Sequence, residues 1–551
     1  MGQLGSIQSA NRDVGNAPPG PFQDCRECVH IAMFFDGTGN NRFADDEAQK
    51  WSNVARLFFA AREEPAVGIY RIYLAGVGTR YNASANWAER LDSWIEDGRL
   101  GNATGLGGER RLQGGDRQMN DALERVLLQN ARSEGGKTKQ TAERMEGEGF
   151  AKMSQSLGNH RLIKSINFSV FGFSRGAALA RAFVNRIAHD MKGTGPDSYT
   201  YQGKPARINF VGIFDTVASF GLPGKNWGGW QTKELQIPAQ VEQCYHYVAA
   251  HEVRFSFPVD LIRNAETSNH FERVYPGVHS DVGGGYEPTK QGRKDTLARV
   301  PLVHMLAGAA ENGSRVFSLS FLLANRAAIA QRIAVDDPTR LAYNAYVDEC
   351  RPGANPVELQ MRRHMEQYFS YRGTQHRNKV GTNTANERRL SQLRRELAQV
   401  RAAESAASGK TRNEFFVGTV PSWWNAWKAE GKLEDAIEKL ETELEAAELD
   451  AQRLAASDSA IAVQAYALQR AIERGEDLVA HNGSLVLVLE KHQWMLDAWR
   501  RTASAGVIHF FDNYVHDSRT DFLGGKEPFV YFRNRGVHEQ ARKSGGASGS
   551  W

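Results

Sequence analysis

The chain has 551 residues, 41% hydrophobic and 24% charged, with a formal net charge of +4. That length suggests two to four domains, or one enlarged by insertions, and leaves ample chain for a large core. The 68 Lys and Arg residues balanced by 64 acids argue against a nucleic-acid partner. No apolar run approaches the length that spans a bilayer. The polar stretch from Met1 to Pro21 lacks the regions of a secretory signal peptide, so classical secretion is not expected. With 4 cysteines the chain is no disulfide scaffold. Cys25 and Cys28 form a single C-x-x-C without a second pair, which reads as a local disulfide or inert thiols rather than a metal site. No metal or cofactor is expected.

After a polar extension over 1–28, Val29 to Phe35 reads as the first strand, running into Asp36-Gly-Thr-Gly-Asn-Asn41. A strand that ends in a Gly- and Asn-rich loop presents backbone N–H groups to an anion. The third glycine of a dinucleotide fingerprint is absent. Gly37 and Thr38 are therefore candidate oxyanion donors through their backbone N–H groups, the alternative being a tight turn only. Ser52 to Ala61 reads as a helix and Gly68 to Leu74 as a second strand. Residues 96–120 are expected to form a Gly-rich loop feeding a helix around Met119 to Gln129, and Arg132 to Gly149 an exposed insertion. Gly135-Gly-Lys-Thr138 is not a phosphate loop, because Ala131 stands where a glycine is required and no strand precedes it.

Ile163 to Phe171 carries Ile166, Phe168 and Val170 in alternation and closes on Phe171, the signature of a buried strand. Gly172-Phe-Ser174-Arg-Gly176 follows, and then an apolar helical face of Ala177, Leu179, Ala180, Phe183 and Ile187. Strand, G-x-S-x-G and helix in that order are the setting of a nucleophile elbow, in which a strained serine stands exposed above a sheet. The backbone N–H of Arg175, just after Ser174, completes the candidate oxyanion hole. Arg207 to Phe214 is another strand, ending in Asp215; Tyr245 to Ala249 and Arg273 to Tyr275 are two more. The last leads into Pro276-Gly-Val-His279-Ser-Asp281-Val-Gly-Gly-Gly-Tyr286. Ser174, Asp215 and His279 keep the order Ser…Asp…His of hydrolase triads. His516 is the alternative base, and Asp281 and Asp517 are rivals to Asp215.

Strands alternating with helices over 29–310 predict an α/β-hydrolase-like, mostly parallel sheet with helices on both faces. Residues 311–500 read as helical. Leu390, Leu393, Leu397 and Val400, then Leu433, Ile437, Leu440, Leu444, Ala447, Ala451 and Leu454, hold heptad spacing, which predicts a coiled-coil hairpin. Its tip, about 410–430, carries Phe415, Phe416, Trp423, Trp424 and Trp427. Such rings suit either a bilayer interface or burial against the catalytic domain. In 501–540, Gly506 to Phe511 and Pro528 to Phe532 read as strands returning to the catalytic domain.

Four motifs in order carry a family resemblance: Phe-Phe-Asp36-Gly-Thr-Gly-Asn-Asn41, Gly-Phe-Ser174-Arg-Gly-Ala-Ala, Phe-Asp215-Thr-Val and Pro-Gly-Val-His279-Ser-Asp-Val-Gly-Gly-Gly-Tyr286. The set resembles the α/β-hydrolase domain of bacterial type VI secretion phospholipase effectors, the Tle family, in the subgroup with G-F-S-R-G. The likeness covers roughly 29–300, with Val-His516-Asp-Ser as a further match. It implies a lipase of phospholipase A type, made in the bacterial cytoplasm and delivered by a VgrG-type spike into rival bacteria. There it would attack membrane phospholipid at the periplasmic membrane surface, and a cognate immunity protein would protect the producer. The resemblance makes Ser174 the nucleophile, Asp215 the triad acid and His279 the base. Two other readings compete: a soluble serine esterase acting on a non-lipid ester, and a non-catalytic scaffold whose hairpin is an interaction arm.

Overall fold

The computed structural model describes residues 28–77, 79, 106–158, 162–195, 198–218, 235–254, 256–262, 269–353, 356–417, 419–474, 478–480, 486–520, 531–533, 535 and 537–538. Cys25, and with it the C-x-x-C pairing, lies outside them, as do residues 528–530 of the strand expected over Pro528 to Phe532, whose Tyr531 and Phe532 stand in no strand; Cys28 is a free thiol.

An eight-stranded sheet organises the N-terminal half. Its strands are β1 (Cys28–Phe35), β2 (Ile69–Leu74), β3 (Ser165–Phe173), β4 (Met191–Gly195), β5 (Ser198–Tyr201), β6 (Lys204–Phe214), β7 (Cys244–Ala249) and β9 (His270–Tyr275). A short strand, β8 (Val259–Asp260), stands apart from it. The order β2-β1-β3-β6-β7-β9 is parallel throughout. β6 spans 11 residues, enough for its first residues to take the β4–β5 hairpin antiparallel while its last four pair with β7. The hairpin, with its exposed Gly193 and Gly195, carries too little apolar alternation to be read from sequence.

Alternation along the strands divides the core. Val29, Ile31, Met33 and Phe35 face helices Leu106–Glu134 and Arg175–Asp190. Ala32, Phe34, Phe171 and Phe210 face helices Asn53–Ala60 and Arg299–Glu311. This is a mixed sheet with flanking helices. Ser52 caps the first helix, its Oγ accepting from Ala55 N–H at 3.0 Å.

Four expectations need correction. The Gly-rich loop expected over 96–120 is helical from Leu106 onward, because Leu112, Met119, Leu123 and Val126 make a buried stripe that outweighs glycine's poor propensity. Gly115 lets this helix lie close, since a Cβ there would come within 3.2 Å of Leu74 and Phe183. The insertion at Arg132–Gly149 contains a helix, Gly136–Arg144, that buries Thr138 and Ala142. The strand expected at Gly506–Phe511 is a helix, Ala505–Tyr514: Ser504 caps it, and Val507, Phe510, Phe511 and Tyr514 keep helical spacing on one buried face. Among the described residues the tail does not rejoin the main sheet. After β10 (Leu478–Ala480) and β11 (Val486–Val488), β12 (Val537–His538) pairs in parallel with β8.

The two long helices, Thr384–Val417 and Val420–Glu473, pack along the expected seam. Leu390, Leu393 and Ala447 are buried there against Leu440, Leu444 and Ala451. Arg394 pairs with Glu448 at 2.9 Å and Arg401 with Glu441 at 2.6 Å. No helix among the described residues is long and apolar enough to cross a membrane.

Candidate active site

Ser174, Asp215, His279 and the Asp36–Asn41 loop come from the carboxyl edge of the parallel strands, around the switch point where β1 continues outward to β2 and β3 inward to β6. Asp36 to Asn41 follow β1, Ser174 follows β3, Asp215 follows β6, Glu252 lies just beyond β7 and His279 just beyond β9.

Ser174 sits at the bend with φ 58° and ψ −128°, a conformation that costs a non-glycine residue roughly 1–3 kcal/mol. Its N–H is fixed to Phe214 O at 3.0 Å, and its carbonyl receives Ala177 N–H at 3.0 Å. The two motif glycines have separate reasons. A Cβ at Gly172 would lie 2.6 Å from Ala177 Cα, and one at Gly176 would lie 2.2 Å from Asp36 O. The elbow therefore exists only because helix and strand, and helix and β1 loop, approach closer than any side chain allows.

Asp215, also strained at φ 43°, is fully buried and turns its carboxylate to His279, with Oδ2 and Nδ1 2.5 Å apart. The imidazole is wedged between Phe173 and Phe257, with ring centroids 4.6 and 5.0 Å away. Since Phe173 immediately precedes Ser174, the ring contact sets the imidazole beside the elbow. Burial lowers the affinity of His279 for a proton, and the neighbouring Asp215 only partly offsets this.

His516 is not part of this pair. Its Nδ1 bonds Asp281 Oδ1 at 2.6 Å, its N–H donates to Asp281 Oδ2 at 3.1 Å, and Tyr286 stacks on its ring at 4.0 Å. Asp281 also accepts from Val278 N–H at 3.0 Å, so this second pair fastens the His279 loop to the C-terminal segment. Asp517 lies in another network, with Ser457 at 2.5 Å and Arg372 at 3.5 Å.

In the β1 loop, Gly37 N–H donates to Asp36 Oδ1 at 2.7 Å, and Arg175 Nε bonds Thr38 Oγ1. Burial pushes the Asp36 carboxyl up to about 6, against hydrogen bonds from Ser52, Tyr73 and Gly37. Burial likewise lowers the Arg175 guanidinium to about 10, with Arg111 adding to it.

Three residues of this region carried no reading from sequence. Glu252, buried beyond β7, accepts His279 N–H at 3.2 Å and Ser518 Oγ at 2.9 Å, and is gripped by Arg254 through bonds of 2.9 and 2.8 Å. Burial raises its carboxyl, but Arg254 outweighs that and holds it at about 2. Arg535 forks onto Asp215, NH1 to Oδ1 at 2.6 Å and NH2 to Oδ2 at 2.7 Å. The position of Glu252 after a strand was a usable signal; Arg535 had none.

Phe415, Phe416, Trp424 and Trp427 are exposed at the hairpin tip, by 64, 76, 44 and 49%, and with Trp423 they form one ring cluster. They are not core against the sheet domain. Among the described residues, the carboxylates close enough to share an ion are Glu404, Glu430 and Glu434, on the hairpin.

The strained serine between a parallel strand and its helix, with a buried His–Asp pair near it, belongs to an α/β protein whose mixed sheet carries flanking helices. Residues 191–308 match the family model of the catalytic domain of Tle1-like type VI secretion phospholipase effectors. The matched stretch contains Asp215 and His279, while the Asp36 loop and the Ser174 elbow lie before it. No curated protein matches the sequence. Among solved structures, the crystal structure of an uncharacterized protein from Pseudomonas aeruginosa superposes with a TM-score of 0.64 at 23% identity, covering 98% of this chain and 82% of that one. That likeness is one of fold. The Tle1 effector bound to the VgrG spike of the type VI secretion system is matched over 48% of this chain and 52% of that one, at 21% identity and a TM-score of 0.30.

Proposed function

We propose that the protein is a phospholipase A-type serine hydrolase of the α/β-hydrolase kind, delivered by a type VI system to attack membrane phospholipid in rival bacteria. The observation that carries this is the His279–Asp215 bond of 2.5 Å beside a strained Ser174, in a chain with a Tle1-like catalytic domain. In the proposed reaction His279 Nε2 takes the Ser174 proton as Oγ attacks an acyl-ester carbonyl. Asp215 holds Nδ1–H and stabilises the imidazolium. His279 then gives the proton to the leaving lysophospholipid oxygen, and water, deprotonated by the same imidazole, releases the fatty acid.

The developing oxyanion is assigned to the backbone N–H groups of Thr38 and Arg175, with Gly37 shaping the turn, because its own N–H already serves Asp36. Each donor contributes about 3 kcal/mol to such a transition state. The exposed aromatic tip is assigned to the bilayer interface, where Trp rings partition, bringing the site to its substrate. By family analogy a VgrG-type spike carries the protein and an immunity protein restrains it in the producer, the target being the periplasmic membrane surface.

The test is fatty-acid release from defined phospholipid vesicles by wild type, Ser174→Ala, His279→Ala and His516→Ala. The reading expects release by wild type, loss of at least about a thousandfold in the first two, and retained chemistry in folded His516→Ala. Short-ester turnover without release from vesicles would replace phospholipid by a soluble ester as substrate.

A further inference from the structure

Asp215 is held by more than its histidine. Its Oδ1 accepts Ala249 N–H at 2.8 Å, and both oxygens receive the Arg535 guanidinium. Arg535 is itself fixed: Nε donates to Phe257 O at 2.8 Å and NH1 also to Ala249 O at 3.1 Å, with the side chain 1% exposed. The fork is placed by β12, whose pairing with β8 sets residues 537–538 beside Val259–Asp260. Asp260 in turn bonds Thr216 O through its N–H at 2.9 Å and Ala218 N–H through Oδ2 at 2.8 Å, so the strand that positions Arg535 is tied to the loop that bears Asp215. Arg535 and Asp215 are 320 residues apart in sequence.

We propose that Arg535 is a positioning residue of the Asp215–His279 pair, fixing both carboxylate oxygens and tempering the basicity of the imidazole, so that the C-terminal segment completes the catalytic site. This rests on the serine-hydrolase reading. The charges support it. Around His279 lie two buried carboxylates, Asp215 and Glu252, and two buried guanidiniums, Arg535 and Arg254. Asp281, on the histidine's own helix, is occupied by His516. The set is balanced, so deleting Arg535 alone leaves an excess negative charge that favours the imidazolium. Burial raises the Asp215 carboxyl, and Arg535, ahead of His279, overrides it and holds it well below the ordinary carboxylate range. The fork also leaves a single rotamer for the carboxylate, which fixes the plane in which His279 must lie.

The decisive experiment compares the full-length wild type with Arg535→Gln and Arg535→Lys. Folding is checked by circular dichroism, and kcat/KM for a short-chain ester is followed from pH 4 to 9. Arg535→Gln is expected to lose about tenfold or more in kcat/KM, with its acidic limb moved up by roughly one pH unit. Arg535→Lys, which keeps the charge without the fork, is expected to hold the limb near wild type while kcat/KM still falls. A folded Arg535→Gln with the wild-type limb and rate overturns the proposal; an arginine that merely braced the fold would leave the limb in place. If Arg535→Gln does not fold, a folded Arg535→Lys with wild-type kcat/KM overturns it, and one with reduced kcat/KM at an unmoved limb supports it. Failure of the underlying reading is distinguishable: the wild type itself would turn over no ester and bind no organophosphonate at Ser174, which overturns both.

Discussion

At Gly176 the elbow has no room to vary: a Cβ would press 2.2 Å from Asp36 O and 2.4 Å from Phe35 O, both backbone atoms. Gly176→Ala is therefore expected to destabilise by about 3 kcal/mol or more, or to prevent folding; a melting temperature within a degree of wild type would show that the contact is not as drawn. The buried, neutral His279 gives a pH prediction. A base must be unprotonated to act, and burial holds its proton affinity below the ordinary imidazole value. Hence the acidic limb of kcat/KM should have its midpoint below the ordinary imidazole value of about 6.5; an acidic limb above pH 7 would contradict the geometry. Much of this was legible in the residues. Glycines around a serine, an acid after a strand and a histidine on a Gly-rich loop each declare a backbone need or an edge position. The choice between His279 and His516 was not legible, since both are followed or flanked by aspartates and only the fold shows which acid each meets. Arg535 was invisible, because nothing local distinguishes an arginine that closes a contact 320 residues away.

Among the elements, the parallel strands and the hairpin seam followed from periodicity, and the misread segments show where periodicity gives way. Gly506 to Phe511 looked strand-like by composition, yet Val507, Phe510, Phe511 and Tyr514, at i, i+3, i+4 and i+7 and opened by a Ser504 cap, bury one helical face. The glycines of Leu106–Glu134 suggested a loop, and the sheet beneath that helix accepts them because its apolar stripe packs so closely. The hairpin tip yields a direct prediction. Replacing Phe416, Trp424 and Trp427 together by serine removes exposed rings and little packing. The triple variant should keep its melting temperature and short-ester activity while losing about tenfold or more on vesicles; undiminished vesicle activity would remove the tip from substrate access.

For the whole molecule, three apolar clusters matter. One lies on each face of the sheet, and a third, built from Tyr346, Phe369, Trp499, Phe511 and Phe532 among others, holds the helices and the C-terminal segment. The segments carrying His516, Ser518 and Arg535 all return to the catalytic loops, so helical half and sheet are expected to unfold together. Acid should act on both. Burial lowers His251 to about 3, and lowers His279 and His364 as well. Each lowered histidine contributes stability that is complete above the unfolded value near 6.5 and lost as pH falls toward its folded value. Asp215 and Glu252, also lowered, add a loss that begins only near their unfolded values of about 4. The melting temperature should thus decline steadily from pH 7 to pH 4; a flat profile over that range would mean that these groups are not buried as described.

We propose that Ser174, with His279 and Asp215, cleaves acyl esters of phospholipid. Fatty-acid release from phosphatidylethanolamine and phosphatidylglycerol vesicles, by folded wild type and folded Ser174→Ala side by side, tests it most directly. Steady release by the wild type and loss of at least about a thousandfold in the variant are expected. Equal release by both proteins, or none by the wild type, would contradict it.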